Sequence, residues 1–174
     1  MSAIIEKAKH IQLLILDVDG VLTDGVIYYG SSGMELKGFH IHDGLGMKLL
    51  QRAEIKIAII SGKKSEAAER RLKDLEVDHV YLGHNHKLPV YENLKKTLNL
   101  ADEQIAYMGD DYPDLPLLRR VGLAITVPNA PAALLQHADL TTNKLGGQGA
   151  VREACEFILK AQNKYDSVVE LYFA

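Results

Sequence analysis

Three aspartates follow a short apolar run near the start of the sequence, in the stretch LLILDVDGVLTDG. Asp17, Asp19 and Asp24 crowd like charges at the end of a segment that is typical of a buried strand. Turn formation alone would explain one of these aspartates, but not a cluster of three. Grouped carboxylates suit a hard cation such as Mg²⁺. A calcium loop of the EF-hand type requires glycine at its sixth position and glutamate at its twelfth. Counted from Asp17, these positions hold Leu22 and Tyr28, so this type of loop is excluded.

Two later apolar runs, IAII at residues 57–60 and IAYM at residues 105–108, also end in polar residues. In open parallel sheets, ligands bind beyond the carboxyl ends of the strands, so these residues should meet at one edge. A hydroxyl, a free backbone N–H and a lysine suit a phosphate group, and carboxylates suit its metal ion. The residues that follow these runs, or open the helical pattern between them, are Ser61, Gly62, Lys63, Lys87, Asp110, Asp111 and Asp114.

The elements that must position these residues alternate between strand and helix. Apolar runs without alternation predict parallel strands at residues 13–16, 57–60, 80–82, 105–108 and 123–126. Helical spacing predicts helices after Asp43 as an N-cap and at residues 65–75, 88–98, 112–121 and 150–163. The pattern therefore predicts an α/β fold, a Rossmann-like open parallel sheet with helices on both faces. A glycine-rich turn predicts a β-hairpin flap at about residues 25–39, and residues 165–174 form an apolar tail.

Length and composition indicate one globular domain spanning residues 1–174. The net charge of -3 gives no reason to expect nucleic acid or an anionic membrane as a partner. A single cysteine, Cys155, excludes an internal disulfide framework and suits a reducing compartment. The first residues mix acids and bases without an apolar core, so we expect no signal peptide and a cytoplasmic location.

Taken in order, DVDGVLTDG, Ser61-Gly62, Lys87 and the GDDYPD stretch from Gly109 to Asp114 resemble the four motifs of the haloacid dehalogenase-like phosphohydrolases. The resemblance implies that Asp17 is the nucleophile of an aspartyl-phosphate mechanism and that Asp19 is the general acid and base. It also implies a Mg²⁺ ion held by the Asp17 carboxylate, the Asp19 backbone carbonyl and Asp110. The remaining roles are phosphate binding by Ser61, Gly62 and Lys87, and orientation of ligands by Asp111 and Asp114.

The sequence leaves no room for a cap domain between these motifs, and it resembles the capless, tetrameric 3-deoxy-D-manno-octulosonate 8-phosphate (KDO 8-phosphate) phosphatases most. The resemblance rests on Phe39-x-x-x-Asp43-Gly44-x-Gly46, on Arg70-Arg71 and on GGQGAVRE at residues 146–153. It implies a homotetramer in which the C-terminal tail closes a neighbouring subunit's site. It also implies a small sugar phosphate as substrate, contacted by Asp19, His40, Asp43, Gly44, Ser61, Gly62, Lys63, Arg71 and Lys87.

Several alternatives stay open at this point. Lys63 stands where many of these phosphatases have arginine, and a basic residue is common where His42 stands, so a nine-carbon 2-keto acid phosphate is an alternative substrate. A non-catalytic, Mg²⁺-binding assembly subunit and a phosphatase for proteins or nucleic acids are further candidates. Arg152 could reach a substrate carboxylate or pair with a neighbouring glutamate. The pairs His40-x-His42 and His84-x-His86 are better explained as exposed polar positions than as zinc ligands.

Overall fold

The structure is a computed structural model that describes residues 2–173. The strands within these residues are β1 (Leu13–Leu16), β2 (Tyr28–Tyr29), β3 (Glu35–Leu36), β4 (Lys56–Ser61), β5 (His79–Leu82), β6 (Ile105–Gly109), β7 (Leu123–Thr126) and β8 (Leu140–Thr141). The helices are α1 (Ser2–Lys9), α2 (Ile41–Arg52), α3 (Glu66–Asp74), α4 (Lys87–Leu98), α5 (Leu115–Leu118), α6 (Ala132–Leu135), α7 (Ala150–Ala161) and α8 (Tyr165–Val169). Short 3-10 turns lie at Asp102–Gln104, Tyr112–Asp114 and Glu170–Tyr172.

Six strands form one parallel sheet in the order β5-β4-β1-β6-β7-β8. β1 lies in the middle of the sheet because β4 pairs with one of its edges and β6 with the other. All four residues of β1 are buried, as their unbroken apolar character predicts for a strand covered on both faces. The chain therefore leaves β1 at a point where the strand order reverses, which is where open sheets bind ligands.

Two groups of helices cover this sheet. α2 packs against α7, and α1 and α8 pack against α7 as well, while α4 packs against α5. The helices carry their apolar positions toward the sheet, and the core includes Leu49, Leu72 and Leu94. The predicted α/β architecture is confirmed. Ser65 is the N-cap of α3, since its hydroxyl accepts the N–H of Ala68.

The predicted flap is present as a second, two-stranded sheet in which β2 and β3 pair antiparallel. The ladder is short, with Tyr28 opposite Leu36 and Tyr29 opposite Glu35. Its apolar side chains are largely exposed: Val26, Tyr28, Tyr29, Met34 and Leu36. Between β1 and β4 the chain contains only this flap and α2, and between α4 and β6 only a 3-10 turn. No cap domain is therefore inserted within residues 2–173.

Several expectations need correction. Asp43 was expected to cap α2, but His40 does so, and Asp43 lies buried in the first turn of the helix. The predicted helix at residues 112–121 is a 3-10 turn followed by the four residues of α5. The apolar tail, for which no conformation was predicted, forms α8 and a 3-10 turn, and Arg52 Nη1 donates to the Tyr172 hydroxyl over 2.6 Å. Across the described range, no helix has the length and apolar character needed to cross a membrane.

Candidate active site

The site is built where β1 and β6 end side by side. Leu16 pairs with Met108, and the backbone N–H of Asp17 continues the ladder by donating to the Met108 carbonyl over 3.0 Å. Asp17 follows β1, and Asp110 and Asp114 follow β6. One carboxylate oxygen from each of the three residues lies within 4.8 Å of the other two. The sheet thus brings together acidic side chains that are about a hundred residues apart in the sequence.

Glycine at position 20 makes this approach possible. Its backbone has a φ of +84°, and a Cβ at that position would lie 1.9 Å from Oδ2 of Asp110. The GGQG stretch noted in the sequence supports the same loop from the other side, since the Gly147 N–H donates to the Val21 carbonyl over 3.0 Å. A Cβ on Gly146 would clash with the Gly20 carbonyl at 1.8 Å. Two close backbone contacts therefore fix the loop that carries Asp17 and Asp19.

Lys87, the first residue of α4, inserts its ammonium between two of the carboxylates. Its Nζ lies 3.0 Å from Oδ2 of Asp17 and 2.6 Å from Oδ1 of Asp114. The hydroxyl of Tyr107, a residue of β6, donates to the same Oδ1 over 2.6 Å and accepts from Lys87 over 3.2 Å. All four residues are buried, which leaves the lysine in fixed contact with the Asp17 carboxylate.

Both oxygens of Asp114 are engaged by the protein. Besides Lys87 and Tyr107 on Oδ1, the backbone N–H groups of Asp110 and Asp111 donate to Oδ2 over 2.9 and 3.2 Å. The side chain of Asp111 caps the following turn by accepting the Tyr112 N–H over 2.8 Å. Asp114 is thereby suited to hold its neighbours in place, and Asp17 and Asp110 are better suited to bind a cation directly.

The electrostatics of the cluster call for a cation. Burial raises the pKa of Asp17 to about 6, against the opposing effect of Lys87. Burial, followed by the charges of Asp17 and Asp114, raises the pKa of Asp110 to about 8. Burial disfavours the Lys87 ammonium, but the carboxylates of Asp17 and Asp114 outweigh this effect and raise its pKa. One ammonium does not neutralise the carboxylates at this edge, so the residues present fit a divalent metal ion.

A cavity of about 660 Å³ opens over these groups. It is lined by Asp17, Asp19, Gly25, Ser61, Gly62, Lys63, Asn85, Lys87, Asp110, Asp111, Pro113 and Asp114. Ser61 is the last residue of β4, and Gly62 and Lys63 follow it, so hydroxyl, backbone N–H and ammonium groups border the side opposite Asp110. The cavity thus combines acidic groups with hydroxyl, N–H and ammonium donors that follow four strand ends.

Four residues expected at the substrate lie elsewhere in this chain: His40, Asp43, Gly44 and Arg71 are not among the described residues that line the cavity. His40 caps α2, with its Nδ1 accepting the His42 N–H over 3.3 Å. A Cβ on Gly44 would lie 2.3 Å from a guanidinium nitrogen of Arg71, so these two residues pack against each other. Gly44 belongs to α2 and Arg71 to α3, so this contact joins the two helices.

Asp43 serves another purpose at the start of α7. Its carboxylate accepts the backbone N–H of Arg152 over 2.8 Å and that of Gly149 over 3.3 Å. Burial raises the pKa of Asp43, and these two N–H groups oppose the shift. The Arg152 side chain pairs with Glu156, with 2.6 Å between Nε and Oε1. Arg152 thus makes the contact with a neighbouring glutamate that the sequence allows, and Cys155 lies fully buried in the core.

Sequence reasoning missed three residues around the site. Tyr107 resembles an ordinary aromatic residue of a core strand, and only its register beside β1 reveals the hydroxyl that contacts Asp114. Asn85 lines the cavity next to Gly62, and no motif in the sequence distinguishes it from its neighbours His84 and His86. Lys37 reaches the Asp19 carboxylate from the flap, and no local pattern announces this long-range contact. Neither histidine pair joins a metal-binding group among residues 2–173.

Comparison with known proteins agrees with this geometry. A family model described as haloacid dehalogenase-like hydrolase matches residues 83–154, which include Lys87, Asp110 and Asp114. The chain is 45% identical to the 3-deoxy-D-manno-octulosonate 8-phosphate phosphatase KdsC of Escherichia coli strain K12 over 94% of this chain and 87% of that protein. The fold and the site thus define a hydrolase of the haloacid dehalogenase class.

Solved structures extend the similarity to three dimensions. The KDO 8-phosphate phosphatase of Moraxella catarrhalis, solved with magnesium, phosphate and KDO, matches with a TM-score of 0.97 and 45% identity over 99% of each chain. The cobalt-bound deoxy-D-mannose-octulosonate 8-phosphate phosphatase of Haemophilus influenzae matches with a TM-score of 0.88 and 40% identity over 91% of this chain and 93% of that one. The chain belongs to the family of 3-deoxy-D-manno-octulosonate 8-phosphate phosphatases.

Proposed function

We propose that this protein is a Mg²⁺-dependent phosphomonoesterase that hydrolyses KDO 8-phosphate to KDO and inorganic phosphate. The observation that carries the proposal is the grouping of Asp17, Asp110 and Lys87 at the ends of three chain segments, within one cavity. A relative with 45% identity over nearly the whole chain acts on this substrate by its name, and a structure with the same fold holds magnesium, phosphate and KDO.

In the proposed reaction, an oxygen of Asp17 attacks phosphorus while the bond from phosphorus to the sugar oxygen breaks. Asp19 donates a proton to the departing oxygen, which leaves as the sugar hydroxyl. A water molecule then attacks the aspartyl phosphate, Asp19 takes a proton from it, and the Asp17 carboxylate and inorganic phosphate are regenerated. The Asp19 side chain is 28% exposed and lines the cavity, so it is accessible to the water molecule of the second step.

The metal ion would be held by the carboxylates of Asp17 and Asp110 and by the backbone carbonyl of Asp19. When bound, it supplies positive charge that offsets the charge of the carboxylates and of the phosphoryl oxygens. Asp114 holds the backbone N–H groups of Asp110 and Asp111 and so fixes the loop that presents Asp110. Asp111 supports the same turn through its contact with Tyr112.

The phosphoryl oxygens would be bound by the Ser61 hydroxyl, the Gly62 N–H and the ammonium of Lys87. Because Lys87 is already held by Asp114, its charge is oriented before the substrate arrives, and little reorganisation accompanies the reaction. Lys63 borders the same cavity and is a candidate contact for the sugar acid. Four other expected contacts do not line this cavity: His40, Asp43, Gly44 and Arg71. They would contact a substrate only outside the cavity of their own subunit.

We also propose a cytoplasmic homotetramer. The apolar residues of the flap are about half exposed, with Tyr28 at 53%, Leu36 at 50% and Met34 at 54%. Several exposed apolar side chains on one short segment are typical of an interface. With no cap domain inserted within residues 2–173, a neighbouring subunit is the simplest cover for the cavity. Sedimentation analysis should give four times the mass of one chain, and replacing Leu36 with Glu should reduce it.

The function is tested by a screen of sugar phosphates, with and without EDTA, that measures released inorganic phosphate. KDO 8-phosphate should be the best substrate, ahead of the corresponding nine-carbon 2-keto acid phosphate, and EDTA should abolish the release. Asp17→Asn should lower kcat by about 10³-fold or more, as removal of a nucleophile does. Asp24→Asn is the matched control, since Asp24 is an exposed member of the same motif. Release of no phosphate from any sugar phosphate would favour a non-catalytic subunit.

A further inference from the structure

A buried lysine of the flap contacts the residue to which proton transfer is assigned. The Lys37 side chain is only 1% exposed, although it lies in a segment whose apolar neighbours face outward. Its Nζ forms an ion pair and hydrogen bond with Oδ1 of Asp19. Burying an ammonium is costly unless it is paired, and the fold of the flap pairs this ammonium with the Asp19 carboxylate.

A second ion pair fixes the flap beside the first. Glu35 of β3 lies 2.6 Å from Nζ of Lys63, the residue that follows Ser61-Gly62 at the cavity. The same glutamate lies 3.6 Å from Nζ of Lys37, so it bridges the two lysines. The hydroxyl of Tyr29, a residue of β2, also accepts from Nζ of Lys63 over 3.5 Å, so several contacts link the flap to the site. Lys37 is thus positioned by its contacts with Asp19 and Glu35, as well as by the fold of the flap to which it belongs.

We propose that Lys37 is a positioning residue for Asp19, an inference that rests on the proposed phosphatase function. Lys37 binds Oδ1, and among residues 2–173 no other hydrogen bond or ion pair engages the Asp19 side chain. Oδ2 is therefore left to face the leaving oxygen. The flap thereby contributes to the chemical step through Lys37.

The first test compares Lys37→Met and Lys37→Arg with the wild-type enzyme on KDO 8-phosphate. Lys37→Met should lower kcat by about ten- to a hundredfold, the usual contribution of a hydrogen bond between charged groups, and KM should change less than threefold. Lys37→Arg should recover part of the loss, because it restores a cation at Asp19. Lys73→Met, an exposed lysine of α3, is the control and should leave both constants unchanged. An unaltered kcat in Lys37→Met would overturn the proposal.

The second test separates positioning of the acid from a general effect of the flap. p-Nitrophenyl phosphate releases a phenolate that needs little protonation, so Lys37→Met should lower its hydrolysis less than threefold. Equal losses on both substrates would show that Lys37 merely supports the flap. In an Asp19→Asn background, Lys37→Met should cause no further loss on KDO 8-phosphate, whereas multiplicative losses would contradict the proposal. Thermal unfolding of each variant verifies that it is folded. If Lys37→Met is unfolded, Lys37→Arg takes its place in the comparison of the two substrates.

Failure of the proposed function has a different signature. A wild-type enzyme that cleaves p-nitrophenyl phosphate but not KDO 8-phosphate has another natural substrate. The Lys37 comparison is then made with the best alkyl phosphate of the screen, since the leaving alkoxide requires the same proton. A selective loss on that substrate supports the role of Lys37, and equal losses refute it.

Discussion

The ammonium of Lys87 lies 3.0 Å from the carboxylate of Asp17, and both side chains are nearly inaccessible to solvent. The same ammonium lies 2.6 Å from Asp114, so one buried cation serves two carboxylates from different strand ends. Helix α4 and the ends of β1 and β6 are thereby connected through a single side chain. This arrangement makes Lys87 a structural residue as well as a candidate phosphate ligand.

Loss of this ammonium should destabilise the protein in a manner that depends on pH. Lys87→Met leaves Asp17 and Asp114 buried without their counter-charge, and at pH 8 we expect a loss of about 3–5 kcal/mol in the free energy of unfolding. At pH 5 the loss should be smaller, because Asp17, whose pKa is raised to about 6 by burial, can take up a proton instead. Urea unfolding in EDTA at both pH values measures the difference. Lys73→Met, which removes an exposed lysine, should change neither value by more than about 0.5 kcal/mol.

Tyr107 should matter for both stability and turnover. Tyr107→Phe removes the hydroxyl that donates to Asp114 and accepts from Lys87. We expect a loss of about 1–2 kcal/mol in the free energy of unfolding, the usual value for a buried hydrogen bond to a charged group. The kcat should fall by less than about tenfold, because Asp114 keeps Lys87 and two backbone N–H groups. Urea unfolding and steady-state kinetics measure both effects.

Tyr91→Phe is the matched control for Tyr107→Phe. Tyr91 is fully buried, and its hydroxyl donates to Asp102 over 2.6 Å at the other end of the sheet. Its replacement should lower stability to a similar extent and leave kcat unchanged. An equal fall of kcat in both variants would mean that lost stability, rather than the contact with Asp114, accounts for the effect.

The sequence predicts which residues of the candidate site come together where polar residues follow directly after a buried strand. The runs before Asp17, Ser61 and Asp110 are unbroken and apolar, so their burial fixes both the strand and the edge at which the polar residues emerge. The contact between Lys37 and Asp19 could not be predicted, because it depends on how a flap with two short strands folds over the sheet. The sequence does not predict α6 or β8 either, because α6 has four residues and β8 has two, which is too short to show a periodic pattern.

Asp43 illustrates how a local rule can identify the right residue for the wrong contact. Its position before a helical pattern predicted an N-cap for α2, but the carboxylate accepts N–H groups at the start of α7. Helix capping residues are recognised by local spacing, and a cap supplied from a distant helix has none. Tertiary packing of α2 against α7 decides the outcome.

This contact provides a test of the substrate contact expected for Asp43. Asp43→Ala should lower the free energy of unfolding by about 1–2 kcal/mol, the cost of losing a helix cap, and KM for the sugar phosphate should stay within twofold. Asp43→Asn keeps one acceptor oxygen and should lose less stability. Steady-state kinetics and urea unfolding provide the two readouts. A KM that rises tenfold in both variants would instead show that Asp43 contacts the substrate, directly or from a neighbouring subunit.

Asp110 should make the metal-free protein less stable as the pH rises. Its pKa in the folded protein is about 8, above the ordinary value of 3.8, so between these values the folded state binds more protons than the unfolded state. Stability therefore falls as the pH rises from about 4 to 8, and Asp17, with a pKa of about 6, adds to the fall in the lower half of that range. In EDTA, the thermal unfolding midpoint should be higher at pH 6 than at pH 8.

Mg²⁺ should reverse this trend, because a bound cation favours the ionised carboxylates and stabilises the folded state by mass action. Asp110→Asn removes the charge, so in EDTA at pH 8 it should raise the unfolding midpoint by about 2–4 °C for each kcal/mol of relieved repulsion. The same variant should lose most of the response to Mg²⁺, whereas Asp24→Asn should respond like the wild type. A midpoint in EDTA that rises between pH 6 and pH 8 would mean that Asp110 is already neutralised within the protein, and that no cation is needed there.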